Sequence, residues 1–160
     1  HFIFLTKNHL KLEMSNLKPK EKRKARIIAL QMIYAKEFKG SDLDETCNLL
    51  IENKGKLSKE IVKYSKQLSN LVFIHLVELD KLISSKSKNW DFDRITLLDK
   101  LILRIALVEM IYIDDVPPKV SIAEGVEIAK LFSTDDSSGF INGILDSVYN
   151  KKIKGKVNTI

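Results

Sequence analysis

Apolar residues recur at three- and four-residue intervals along nearly the whole chain, the spacing that gathers them on one face of an α-helix. Residues 19–38 read as a first helix, with Pro19 tolerated in its first turn and Gly40 beyond its end as a stop. Ile27, Leu30, Tyr34 and Phe38 make its core-facing stripe. A second helix is predicted over 42–53, with Leu43, Thr46, Leu50 and Ile51 turned inwards and Gly55 ending it. The third runs unbroken over 58–83, its broad face marked by Ile61, Tyr64, Leu68, Leu71, Val72, His75, Leu79, Leu82 and Ile83. The stretch SSKSKN at 84–89 is loop by composition. Asp91 is the expected cap of a fourth helix with its body over 94–112, where Ile95, Leu98, Leu101, Ile102, Ile105, Ala106 and Met110 sit at core spacing. Asp114 and Asp115 close it, and Pro117 and Pro118 block any continuation. Ser121 followed by Glu124 has the form of a capping box, giving a fifth helix over 122–132. After the turn TDDSS at 134–138, a sixth helix is predicted over 139–149, with Ile141, Ile144, Leu145 and Val148 facing inwards. No stretch alternates as a strand does, so the fold class is all-α, a bundle without internal repeats.

Composition adds limits. At 160 residues one domain is expected, long enough to bury a core without disulfides. The single cysteine, Cys47, excludes a disulfide within the chain, and no apolar run reaches the ~18 residues of a membrane span. The net charge of +6 is unevenly placed. Residues 1–26 carry +6 and residues 151–156 carry +4, leaving −4 on the body between them. A mildly acidic body with basic ends suits nucleic acid or another anionic surface.

The first residues stand apart. HFIFLTKNHLKLE at 1–13 matches neither the helical pattern that follows nor a secretory leader. We read Met14 as the native start, 1–13 as a disordered extension, 14–150 as one domain and 151–160 as a frayed basic tail. The cytoplasm is the default location.

Chemistry is sparse. His1 and His9 lie in the suspected extension, and His75 stands alone on a helical face, where a packed residue is the plainer reading. Cys47 has no evident partner, and the acid pairs at 114–115 and 135–136 sit where Asp caps helix ends. No Gly-rich phosphate loop is present. Nothing points to catalysis, a metal or a cofactor, so a binding module is the expected class.

Three segments carry a pattern: RKARIIALQMIY at 23–34, LDKLILRIALVE at 98–109, and VPPKVSIAEGVEIAKLFSTDDSSGFINGILD at 116–146. In this order and spacing the chain resembles the NusB family of bacterial transcription antitermination factors. The resemblance covers residues 18–149; the stretch 42–89 agrees only in helical pattern. It implies a helical bundle of six to seven helices in two small subdomains. It also implies binding of boxA RNA together with NusE, the ribosomal protein that joins the elongation complex. Through other Nus factors the pair would act on RNA polymerase, supporting processive transcription of ribosomal RNA operons. Carried over by position, the RNA surface is Lys20, Lys22, Arg23, Lys24 and Arg26, with the acidic turn Asp135, Asp136 and Ser137 beside it. Arg23 and Arg26 are therefore expected to tolerate charge reversal without loss of fold. Tyr34 and Asp99 match positions that contact NusE.

Structural roles are expected for the rest. Arg104, on an otherwise apolar helix, needs an acidic partner, for which Glu109 and Glu124 are the candidates. Phe140 belongs to the family motif, and Asn142 is expected to tie helix to loop. The chain departs from the family pattern at Ala123, usually Asn, and at Gly139, usually basic or polar. It also uses lysines where arginines are usual, keeping charge but losing bidentate geometry. The alternative reading is the RNA-recognition domain of an rRNA cytosine methyltransferase, whose cofactor-binding signature is not found in these residues. A helix-turn-helix DNA binder is disfavoured, because the basic residues open the first helix and not a recognition helix.

Overall fold

The computed structural model describes residues 16–40, 42–55, 57–88 and 91–153. The extension proposed for 1–13, the tail beyond 153 and the inward placement of the Leu43 side chain lie outside the described residues. Seven α-helices follow one another: α1 (Pro19–Lys39), α2 (Leu43–Lys54), α3 (Lys59–Ile74), α4 (Leu76–Lys86), α5 (Leu97–Tyr112), α6 (Pro118–Phe132) and α7 (Asp135–Val148). A short 3-10 turn at Phe92–Arg94 precedes α5, and a π-helical turn at Tyr149–Ile153 extends α7.

Local signals account for several boundaries. Gly40 and Gly55 end α1 and α2 with φ of 67° and 77°, a region costly for any residue with a Cβ. The Asp42 carboxylate accepts from the amides of Asp44 and Glu45, and the Ser58 hydroxyl from that of Ile61.

Several boundaries differ from expectation, among them the start of α6 at Pro118 and not 122 and the end of α4 at Lys86, inside the stretch read as loop. The long third helix breaks at His75, where no Gly or Pro stands. Its ring stacks on Tyr112 of α5 with centroids 4.1 Å apart, and its Nδ1 lies 3.1 Å from the Tyr112 hydroxyl. α5 starts at Leu97 and not 94, capped by Thr96 and not Asp91. α7 starts at Asp135, capped by Thr134, so the acidic turn is the first turn of the helix.

α1 packs chiefly on α3 and also on α2, while α5, α6 and α7 pack on one another; α4 lies against α5 and α7. These two groups correspond to the expected subdomains, but one continuous core joins them. At its centre is α5, buried at every position from 101 to 110, as a helix apolar nearly all round must be. Gly125 lets α6 approach closely: a Cβ there would stand 3.3 Å from the Leu145 side chain and 3.4 Å from that of Ala106.

On α1 the core stripe is Ala25, Ile28, Ala29, Met32 and Ile33, with Leu30 also buried. Tyr34 and Phe38, expected in the core, are exposed and stack on each other at 5.5 Å. The inward-facing side of α1 is one step round from the reading based on the largest residues, because small alanines permit close packing with α3.

Candidate nucleic-acid interface

The basic start of α1 divides by side. Lys20 and Lys24 are exposed, and Lys22 and Arg23 are half-buried. Arg26 is only 3% exposed. Its Nε donates to both Glu109 oxygens, at 3.0 and 2.8 Å. Glu109 also accepts from the Tyr64 hydroxyl and, at 2.7 Å, from Ser121. Arg26 therefore ties α1 to α3, α5 and α6 from inside, and its expected place on the RNA surface is corrected. Charge reversal there would bury two carboxylates against each other, so the expectation of an intact fold holds no longer. Burial works against the Arg26 charge, but attraction from Glu109 outweighs it and its pKa stays raised. Burial, and then the Glu109 charge, push the Tyr64 phenol up, leaving it a proton donor.

Arg23 occupies the border. Its Nε and Nη2 grip Glu124 of α6 at 2.7 and 2.9 Å, while 43% of its side chain remains exposed. Glu124 also lies 3.5 Å from Nη1 of Arg26. The hydrogen bonds from Arg23 hold the Glu124 carboxyl below its ordinary range. The Ser121–Glu124 capping box does not form: α6 begins at Pro118, and both side chains turn to tertiary partners.

The acidic turn also divides. Asp135 and Asp136 are exposed, whereas Ser137 is buried and donates to Asp99 at 2.9 Å. Ser133 donates to the other Asp99 oxygen at 2.9 Å. Asp99 is 6% exposed, which turns the expected partner contact into a tie between α5 and the start of α7. Ser137, expected on the RNA surface, is the other half of that tie. Tyr34 is open on the surface, where a partner can reach it.

Arg104 does pair with carboxylates, but with neither expected candidate. Its guanidinium meets Asp80 of α4 at 2.8 and 2.9 Å and Glu37 of α1 at 3.3 Å. Phe140 packs half-buried against the core. Asn142 is exposed and, among the described residues, reaches only Asp146 of its own helix and no loop.

A groove of about 400 Å³ lies between the end of α4 and α7, and sequence reasoning missed it. Among the described residues, Lys86, Lys88 and Lys151 line it with Phe140, and no acid does. Gly139 and Gly143, one turn apart, leave α7 bare there, with nothing within 4 Å of an added Cβ. The departure at Gly139 thus opens space where a side chain would otherwise stand. The lysines of SSKSKN were the signal for it, read only as loop.

The model of the NusB family matches residues 23–150. The chain belongs to the NusB family. It is 40% identical over 135 residues to a transcription antitermination protein NusB of Chloroherpeton thalassium, covering 84% of this chain and 64% of that protein. It is 36% identical over 137 residues to the NusB of Natranaerobius thermophilus, covering 84% of this chain and 99% of that one. The chain thus spans just under two thirds of the first relative and nearly all of the second. A solved complex of antitermination factors NusB and NusE with dsRNA contains a chain of the same fold (TM-score 0.74, 22% identity, 83% of this chain and 98% of that chain). No group of three or more metal-binding side chains occurs among the described residues, and no helix there is long and apolar enough to cross a membrane.

Proposed function

We propose that this NusB-family protein is a transcription antitermination factor that binds boxA-type RNA with NusE and, through other Nus factors, supports RNA polymerase on ribosomal RNA operons. The observation that carries the RNA reading is the sidedness of α1. Lys20 and Lys24, one turn apart, stand towards solvent on a helix whose opposite side is locked into the core, with Lys22 half-buried beside them. Exposed cations attract phosphates without sequence preference. Choice of sequence then needs unstacked bases on side chains, the common mode for single-stranded RNA. The basic groove beside Phe140 suits an RNA strand, and the exposed Asp135 and Asp136 offer acceptors for base amino groups. Exposed Tyr34 and its stacked neighbour Phe38 are the docking residues assigned to NusE. A second RNA-binding protein on the same strand raises effective affinity by linkage.

The test is a titration with a boxA-type RNA, with and without NusE, at two salt concentrations. Binding is expected to weaken steeply with salt and to tighten when NusE is present. Equal affinity for a scrambled RNA under all conditions would sink the reading.

A further inference from the structure

Three surface features stand out. The exposed apolar residues of α1 belong to the docking surface already assigned, and the Lys86–Lys151 groove belongs to the RNA path. The third is the carboxylate of Glu124, a negative charge placed where an RNA-binding surface should be positive. We propose that Glu124 is a specificity-determining residue: its carboxylate occupies the Nε–Nη2 edge of Arg23 in place of an RNA phosphate, leaving Nη1 and the flat face of the guanidinium for bases. This rests on the RNA-binding reading.

The geometry is that of a phosphate contact already filled. Nε and Nη2 meet Oε2 and Oε1 at 2.7 and 2.9 Å, the paired arrangement by which arginine grips two oxygens of a phosphate. Nη1 has no protein partner among the described residues, and the side chain is 43% exposed. Glu124 is not free to swing aside. Nη1 of Arg26 stands 3.5 Å from its Oε2, and Arg26 is in turn held by Glu109, which Tyr64 and Ser121 fix. A chain of fixed groups thus runs from the core to the surface and ends at Arg23. Glu127, further along α6, adds negative charge on the same side.

The consequence follows from what phosphates and bases report. Every nucleotide carries a phosphate, so an arginine gripping one adds affinity for any RNA, whereas base contacts discriminate. Occupying the gripping edge lowers affinity for wrong sequences while keeping arginine's flat, base-stacking surface in place. Lys20, Lys22 and Lys24 retain the general attraction.

The experiment compares wild type, Glu124→Gln and the double variant Arg23→Gln/Glu124→Gln on a boxA-type RNA and a scrambled RNA of equal length, each over a salt series. Glu124→Gln is expected to bind the scrambled RNA several-fold tighter. Its salt slope should steepen by about 0.7, the increment for one more phosphate on a single strand, and the double variant should lose that increment. Scrambled-RNA affinity and slope at or below wild type in Glu124→Gln would overturn the proposal. Should that variant not fold, the wild-type protein decides by NMR: with RNA bound, the Arg23 Nε–H is expected to show no through-hydrogen-bond coupling to RNA phosphorus, and such a coupling overturns the assignment. A wild-type protein that binds neither RNA overturns the RNA reading itself, which separates the two failures.

Discussion

Arg23 and Arg26 stand less than one helical turn apart on α1, and each meets a carboxylate from a distant part of the chain. Their surroundings make them different residues. Arg26 is enclosed, and its partner Glu109 is itself satisfied by a phenol and a serine from two other helices. Arg23 faces water on one side, and Glu124 beneath it. Breaking an enclosed pair leaves a stranded charge, while breaking a half-exposed one leaves a charge that water can reach. Charge at the start of α1 thus divides into a part that holds four helices together and a part left open to solvent. The +6 of residues 1–26 overstates the second part.

The largest expected break in this comparison is Arg26→Ala, which strands Glu109 and should lower unfolding free energy by about 3–5 kcal/mol in a denaturant titration. Arg23→Ala should cost no more than about 1 kcal/mol. Similar losses in the two variants would remove the distinction. Next comes Tyr64→Phe, which deprives Glu109 of one donor at constant packing; an unfolding cost of about 1–3 kcal/mol is expected, with RNA affinity unchanged in the folded protein.

Acid probes the other side. Because Arg23 holds the folded Glu124 pKa below 4.5, its contribution is present above that ordinary value and is lost as pH falls through the lowered folded one. Melting temperatures measured downwards from pH 5 should therefore fall less steeply for Glu124→Gln than for wild type. The smallest change is expected away from both arginines. Gly139→Ala, in open space on α7, should raise stability by up to about 1 kcal/mol through helix propensity. A clear loss would show that the space beside Gly139 is already occupied.

Features written in neighbouring residues were legible in the sequence. The stops at Gly40 and Gly55 and the helix starts near 42 and 58 need only local backbone and side-chain chemistry. What failed depends on partners far along the chain. His75 interrupts a helix through Tyr112, 37 residues away. Ser121 and Glu124 have the spacing of a cap, yet tertiary partners claim both. Arg104 was rightly given an acidic partner, but Asp80 and Glu37 come from helices whose packing the pattern does not specify. The burial of Arg26 had a signal that went unused: Ala25, Ile28, Ala29 and Leu30 surround it at neighbouring helical positions, and all are buried. A cation inside a small-residue stripe belongs to the core if an acid can reach it.

On this account the exposed lysines of α1, and not its charge as a whole, attract the RNA. The direct measurement is the salt dependence of boxA-type RNA binding by wild type and by the double variant Lys20→Gln/Lys24→Gln. The variant should melt as the wild type does and bind more weakly, with a slope shallower by about 0.7 for each phosphate no longer neutralised. An unchanged affinity and slope in a fully folded variant would contradict the account.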